Sequence, residues 1–296
     1  MDPDLDLRKV RYFVAVAERL HFGQAASALH ITQPALSRQI QQLERDLGVE
    51  LFARSSREVA LTPAGEAFFR SGRQLLAAGR TALEGARRAA AGDHTLRVGF
   101  MLAMDTEAVL AAFGARHPGV SVLLQRLRWW KHAELILDGS VDAGFVRLPI
   151  AGEGLELLPL YTEPVSVALP AYHPHASRSE VGIADIADEP VLHYADAIAA
   201  WNAFWCVDPR PDGTQARRGP VVHDMEEIVE YVRTGRGVAF LPAVVCAMFP
   251  RPGIAYVPVT DIPPGQVALA WAAGRRTPLV DGLAEAAQQT VGDGRA

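Results

Sequence analysis

The segment ITQPALSRQIQQLE, residues 31–44, gathers side chains suited to reading a nucleic acid. Gln33, Arg38 and Gln41 carry amide and guanidinium groups that can grip a base edge in bidentate fashion. Thr32 and Ser37 offer hydroxyls, which with backbone N–H groups suit phosphate oxygens. Between them Leu36, Ile40, Leu43 and Leu47 recur at the spacing of one helical stripe. The spacing predicts a helix with a buried stripe and a polar face on which Glu44 is the one acid of the quoted run. Pro34 falls in its first turn, where a missing N–H costs little, and Thr32 is available as its cap. A plain solvated face is the competing reading.

Two more arginines, Arg54 and Arg57, lie in VELFARSSREVALT, which reads as two short strands around a polar turn. They could reach a flanking phosphate or minor groove, or be ordinary surface charge. Beyond residue 94 the chemistry thins. GxSxG, HExxH, a P-loop and a GxGxxG followed by an acid are all missing, so no enzyme is expected. The two imidazoles of HPH at 173–175 are too few to hold a metal alone. Cys206 and Cys246 have nothing nearby in sequence to activate them and are expected to be buried and inert. No cofactor is expected.

The elements that must position these groups can be outlined. LRKVRYFVAVAERL and GQAASALH read as helices, and a tight turn after the second leads into the helix above, forming a helix-turn-helix. That tight turn favours the nucleic-acid reading over the solvated face. The strand pair supplies a wing. Thr62-Pro63 starts a long helix with Phe68, Phe69, Leu75, Leu76 and Leu83 as a partial apolar stripe, which a second copy of the chain could cover. From residue 94 strands alternate with helices, the pattern of a parallel α/β sheet. The chain leaves that unit and returns, with crossovers near 162–165 and 260–267, so two lobes with a cleft between them are expected. The expected domains are 1–61 (winged helix-turn-helix), 62–93 (linker helix) and 94–296, the last with one lobe from 94–163 and 266–296 and another from 164–265.

Of the net charge of −5, residues 1–93 hold 13 Lys/Arg against 11 Asp/Glu, while residues 94–296 hold 16 against 23. The first part thus tolerates a polyanion better. With no long apolar run and no apolar leader in MDPDLDLRKV, a cytoplasmic protein without a membrane span is expected.

The run RYFVAVAERLHFGQAASALHITQPALSRQIQQLERDLGVELFARSSREVALTPAG resembles the DNA-binding domain of LysR-type transcriptional regulators. LRVGF, HPGV, DGSVDAGFVR and TGRGVAFLP are similar, in order, to landmarks of that family's effector-binding domain, itself similar to periplasmic binding proteins. The resemblance implies a ligand-responsive transcriptional regulator. Its partners would be double-stranded operator DNA, RNA polymerase, a small organic effector, and further copies in a homodimer or homotetramer joined through the linker helix. It implies DNA contacts at Gln33, Pro34, Ser37 and Arg38, with Arg54 in the wing; Thr32, Gln41 and Arg57 are expected beside them from the residue reading above. An effector in the cleft would meet Met101, Leu102, Ala103, Trp129, Arg147, Tyr194 and His223. The family often has a hydroxyl where Ala103 and Trp129 stand, so a simple carboxylate cradle is in doubt and a planar, apolar effector with one polar group at Arg147 is expected. For Arg147 and His223 a structural ion pair or hinge hydrogen bond is the alternative. A DNA-binding protein whose second part only oligomerises, and a solute-binding protein or enzyme with an accessory helix-turn-helix, are the other function classes.

Overall fold

The computed structural model describes residues 5–54, 59–91 and 94–292 of the chain. The chain divides into two compact units, Met1–Asp93 and His94–Ala296. Among the described residues no helix is long and apolar enough to cross a membrane.

The first unit comprises helices α1 (Leu7–Arg19), α2 (Phe22–Ala28) and α3 (Gln33–Leu47), strands β1 (Phe52–Arg54) and β2 (Val59–Leu61), and helix α4 (Pro63–Ala91). Local chemistry sets these boundaries. Asp6 accepts from the Arg8 N–H at the start of α1, and His21 Nδ1 accepts from Gln24 at the start of α2. Gly48, at φ 70°, ends α3 in the left-handed region that glycine adopts without strain. Phe13 is fully buried and packs its ring against Phe52 and Phe68, with centroids 5.2 and 5.1 Å away. It thereby ties α1 to both wing and linker helix. Thr62 caps α4 as expected, accepting from the Gly65 N–H at 2.9 Å and donating to the Glu50 carbonyl at 2.7 Å. A Cβ on Gly65 would stand 2.0 Å from the Leu51 carbonyl oxygen, so only glycine permits this approach of α4 to the wing.

In the second unit, β3 (Thr95–Phe100), α5 (Glu107–Arg116), β4 (Ser121–Arg126), α6 (His132–Leu137), β5 (Ala143–Arg147) and β6 (Leu155–Glu163) come first. Then follow β7 (Val165–Pro170), β8 (Val191–Tyr194), α7 (Ala199–Trp205), β9 (Arg218–Val222), α8 (Met225–Arg233), β10 (Ala239–Pro242), α9 (Ala243–Met248) and β11 (Ile254–Pro258). The chain closes with β12 (Gly265–Ala272) and α10 (Pro278–Gly292). One lobe holds a five-stranded sheet in the order β4-β3-β5-β12-β6. The other holds sheets of order β10-β7-β11 and β8-β9.

The expected parallel sheet is in fact mixed. β3 is parallel to β4 and β5, but β12 runs antiparallel to both β5 and β6, and β7 antiparallel to both β10 and β11. The reason lies in the crossovers. One segment leaves the first lobe through β6 and Pro164 into β7, while a second returns through β11 into β12. Strands that cross the same boundary in opposite senses pair antiparallel where they lie side by side, as Glu163↔Gly265 and Ser166↔Pro258 do. The hinge is therefore a two-stranded ribbon.

Candidate functional site

Each unit presents one surface where the singled-out residues converge. In the first, Leu36, Ile40 and Leu43 of α3 are fully buried and Leu47 packs at the edge of the same core. That leaves Thr32, Gln33, Pro34, Arg38 and Gln41 exposed and Ser37 half-buried. Thr32 occupies the cap position but its hydroxyl makes no cap hydrogen bond. Pro34, two residues on, has no N–H to give it. Glu44, the acid of that face, accepts from the backbone N–H groups of Leu51 and Phe52 at 2.9 and 3.2 Å, so it anchors the wing to α3. A Lys9–Asp46 ion pair at 2.6 Å ties α1 to the far end of α3. Arg54 ends β1 opposite Val59. Arg57 lies outside the described residues.

The apolar stripe of α4 splits in two. Phe68, Phe69 and Leu76 pack onto the core of their own unit, whereas Leu75 and Leu83 are 37% and 62% exposed.

The second surface is the cleft. Met101, Leu102, Trp129 and Arg147 of the first lobe face Tyr194, Trp201 and Trp205 of the second around a cavity with room for about 70 Å³ and an open mouth. Trp129 spans the lobes: its Nε1–H donates to the Ala195 carbonyl at 3.1 Å, and its ring meets Tyr194 edge-on, with centroids 5.2 Å apart. Tyr194 is held in turn, its hydroxyl donating to the Phe240 carbonyl and its backbone exchanging two hydrogen bonds with Asn202.

Three expected contacts change. Arg147 lines the cavity, yet three of its five N–H donors are engaged within the chain. Nε and Nη2 bind the carboxylate of Glu163, and Nη1 donates to the Leu102 carbonyl at 2.6 Å. Both side chains of this pair are buried. Arg147 is thus held in a buried structural ion pair at the start of the hinge, its charge neutralised by Glu163. His223 is exposed and away from the cavity, its Nδ1 3.0 Å from Glu227 Oε2 and its backbone N–H on the same carboxylate. Ala103, left-handed at φ 57°, packs beneath the cleft without forming its wall.

Sequence reasoning overlooked Trp201 and Trp205, although their spacing in AIAAWNAFW places both on one helical face. It also overlooked α9, so Val245 was not foreseen as part of the wall. Beside Trp201 lies His132, buried, with ring centroids 5.7 Å apart. Its Nδ1 is 3.1 Å from the Arg128 carbonyl, which can only accept. Nδ1 thus carries the hydrogen and Nε2 presents a lone pair.

Burial holds the His132 pKa below the ordinary histidine range. Above about pH 6.5 neither the folded nor the unfolded chain protonates it. Below that the unfolded chain alone takes the proton, so stability falls as pH drops towards the folded value. The loss of melting temperature between about pH 7 and pH 5.5 should accordingly be smaller in His132→Leu than in the wild type. Equal losses, read by scanning calorimetry, would remove His132 from the acid response.

Both cysteines are buried, and burial pushes each thiol up to about 12, which makes them poor nucleophiles. His173 pairs with Glu189 at 3.2 Å, and its Nδ1 accepts from the His175 backbone. Among the described residues no group of three or more His, Cys, Asp or Glu is placed to hold a metal.

Residues 7–66 match the family model described as bacterial regulatory helix-turn-helix protein, lysR family, and residues 90–292 match the LysR substrate binding domain. The chain belongs to the LysR family. This LysR-family chain is 31% identical over 286 residues to the Hca operon transcriptional activator HcaR of Escherichia coli (strain K12), an alignment covering 93% of the chain and 95% of the relative. With the transcriptional regulator BenM of Acinetobacter baylyi it shares 31% identity over 265 residues, 87% of the chain and 86% of that protein. Among solved structures it is similar to CbnR, a LysR family transcriptional regulator, at a TM-score of 0.64 and 25% identity, covering 97% and 99% of the two chains. Full-length CbnR complexed with its target DNA gives a TM-score of 0.61 at 26% identity, covering 97% of the chain and 100% of CbnR. The chain is thus a LysR-type DNA-binding transcriptional regulator with an effector-binding domain, and the relatives named here are regulators rather than enzymes.

Proposed function

We propose that this regulator reads operator DNA through the exposed face of α3 and is governed by a small planar effector in the inter-lobe cleft, acting as a homodimer or homotetramer. The observation that carries the reading is the division of labour on α3, where Leu36, Ile40 and Leu43 are buried while Gln33, Arg38 and Gln41 stay exposed. Gln33, Arg38 and Gln41 would meet base edges, while Thr32, Ser37 and the backbone around Pro34 would meet phosphates. Arg54 and Arg57 of the wing would lie on flanking backbone. The unused hydroxyl of Thr32 fits that role. Similarity to a protein solved on its target DNA supports it. RNA polymerase is the partner through which a bound regulator would act.

For the cleft, size supports a conformational readout. An engineered cavity of roughly 150 Å³ accepts benzene, about twice the room here. A ring can enter only if the lobes part or Trp129 turns, so the effector binds the more open arrangement better and shifts the population towards it.

Arg38→Ala should weaken operator binding by about 1–3 kcal/mol and relax discrimination at one base position. Arg54→Ala should weaken specific and non-specific DNA alike and lower the salt slope by roughly one. Footprinting and salt titration distinguish the two. Unchanged operator affinity in Arg38→Ala would place the reading helix elsewhere.

A further inference from the structure

Trp201 and Trp205 are 4% and 2% exposed, and both line the inter-lobe cavity. Their indole N–H groups are buried, and among the described residues none accepts from either. The contrast with Trp129, whose N–H is satisfied by Ala195 in the same wall, is direct. An indole N–H can only donate, and a buried donor without an acceptor loses the hydrogen bonds it made to water. Two such donors lie on neighbouring turns of one helix whose rings border one apolar cavity; each nitrogen is shielded from it at rest, so an acceptor from outside the chain reaches them as the lobes part.

The charge of that acceptor follows from the surroundings. A buried carboxylate needs a cation beside it. Arg147, the buried cation of this wall, is already neutralised by Glu163, and its Nη1 also donates to the Leu102 carbonyl. The other cations of the wall, Arg126 and Arg128, are exposed, and Arg128 lies over the face of Trp130. The inner end of the cavity therefore favours a neutral acceptor, with the surrounding rings selecting a flat, apolar body.

We infer that the effector is an aromatic compound bearing a neutral carbonyl-type oxygen (ketone, ester or amide), bound with that oxygen inward against the indole N–H groups of Trp201 and Trp205. This rests on the cleft being the effector site. Trp201 has one rival partner within the chain, the lone pair of His132 Nε2, which is also without a donor. Trp205 has none among the described residues.

Three probes of similar shape test the assignment on the full-length protein by calorimetric titration and thermal shift: acetophenone, ethylbenzene and benzoate. Acetophenone should bind at least roughly tenfold more tightly than either, because ethylbenzene leaves the donors unpaired and benzoate brings an uncompensated charge. Trp205→Phe, which keeps a ring and removes the N–H, should reduce the preference for acetophenone over ethylbenzene to within about twofold. Equal affinity of acetophenone and ethylbenzene for the wild type would overturn the inference while leaving the cleft as the effector site. So would a preference untouched in both Trp201→Phe and Trp205→Phe. If benzoate binds tightest, the inner end takes a charge and the neutral class is wrong. If none of the three binds at any soluble concentration, the inference falls together with the cleft reading beneath it. A Trp201→Phe variant that keeps the preference but loses melting temperature in a pH-dependent way would assign that N–H to His132 and leave Trp205 as the sole reader.

Discussion

Leu83→Glu should turn the regulator into a monomer and reduce operator affinity by about two orders of magnitude or more, with both units still folded. Leu83 lies in the second half of α4 and is 62% exposed. A large aliphatic side chain in that position, with half-exposed Leu75 two turns before it, is the mark of a helix face that another chain covers. A glutamate there would bury an unpaired charge in the dimer at a cost of several kcal/mol, while in the monomer it would sit in water at little cost. Two recognition helices joined in one particle bind two half-sites with an effective concentration that multiplies affinity by roughly 10²–10⁴, and the monomer forfeits that factor. Sedimentation and footprinting decide the matter. A variant that stays dimeric, or a monomer that still protects a full operator, would refute the assignment. Leu76 is a poorer probe, because it packs on the core of its own unit and a charge there would damage the winged helix itself.

The second large effect concerns the hinge. Arg147→Ala or Glu163→Gln should each destabilise the effector-binding unit by about 3–5 kcal/mol, since either leaves its former partner buried and uncompensated. The pair joins the end of β5 to the end of β6, just before Pro164 carries the chain into the other lobe. Replacing both at once, Arg147→Met with Glu163→Leu, removes the uncompensated charge and should recover most of the loss, apart from the Leu102 carbonyl left without its donor. Denaturant unfolding of the four proteins reads the loss in each single variant and its recovery in the double one. Should Arg147→Ala leave stability unchanged while abolishing effector binding, Arg147 would be the ligand anchor after all.

Much of this molecule is legible in the sequence, for a physical reason. A helix stripe, a cap and a turn are decided within one or two helical turns of chain. Leu36, Ile40 and Leu43 announce a buried face, Thr62 with Pro63 announces the start of α4, and the groups proposed to face DNA are whatever that stripe leaves over. The two lobes and their crossovers are legible because strands and helices alternate at recognisable lengths. Whether a polar residue is free, however, depends on what register brings opposite it. Arg147 and Glu163 are not neighbours in sequence, and nothing local in FVRLPI says that the guanidinium is already taken. His223 looked available until Glu227, on the first turn of α8, was placed against it. Leu76 and Leu83 belong to one stripe by periodicity, yet the core of the first unit takes up the first and leaves the second open. The sequence alone determined the elements and the surface that would read DNA, because those rest on local periodicity. Tertiary structure alone decided which cations, indoles and leucines remain unpaired, because pairing is a matter of distance between segments far apart in the chain.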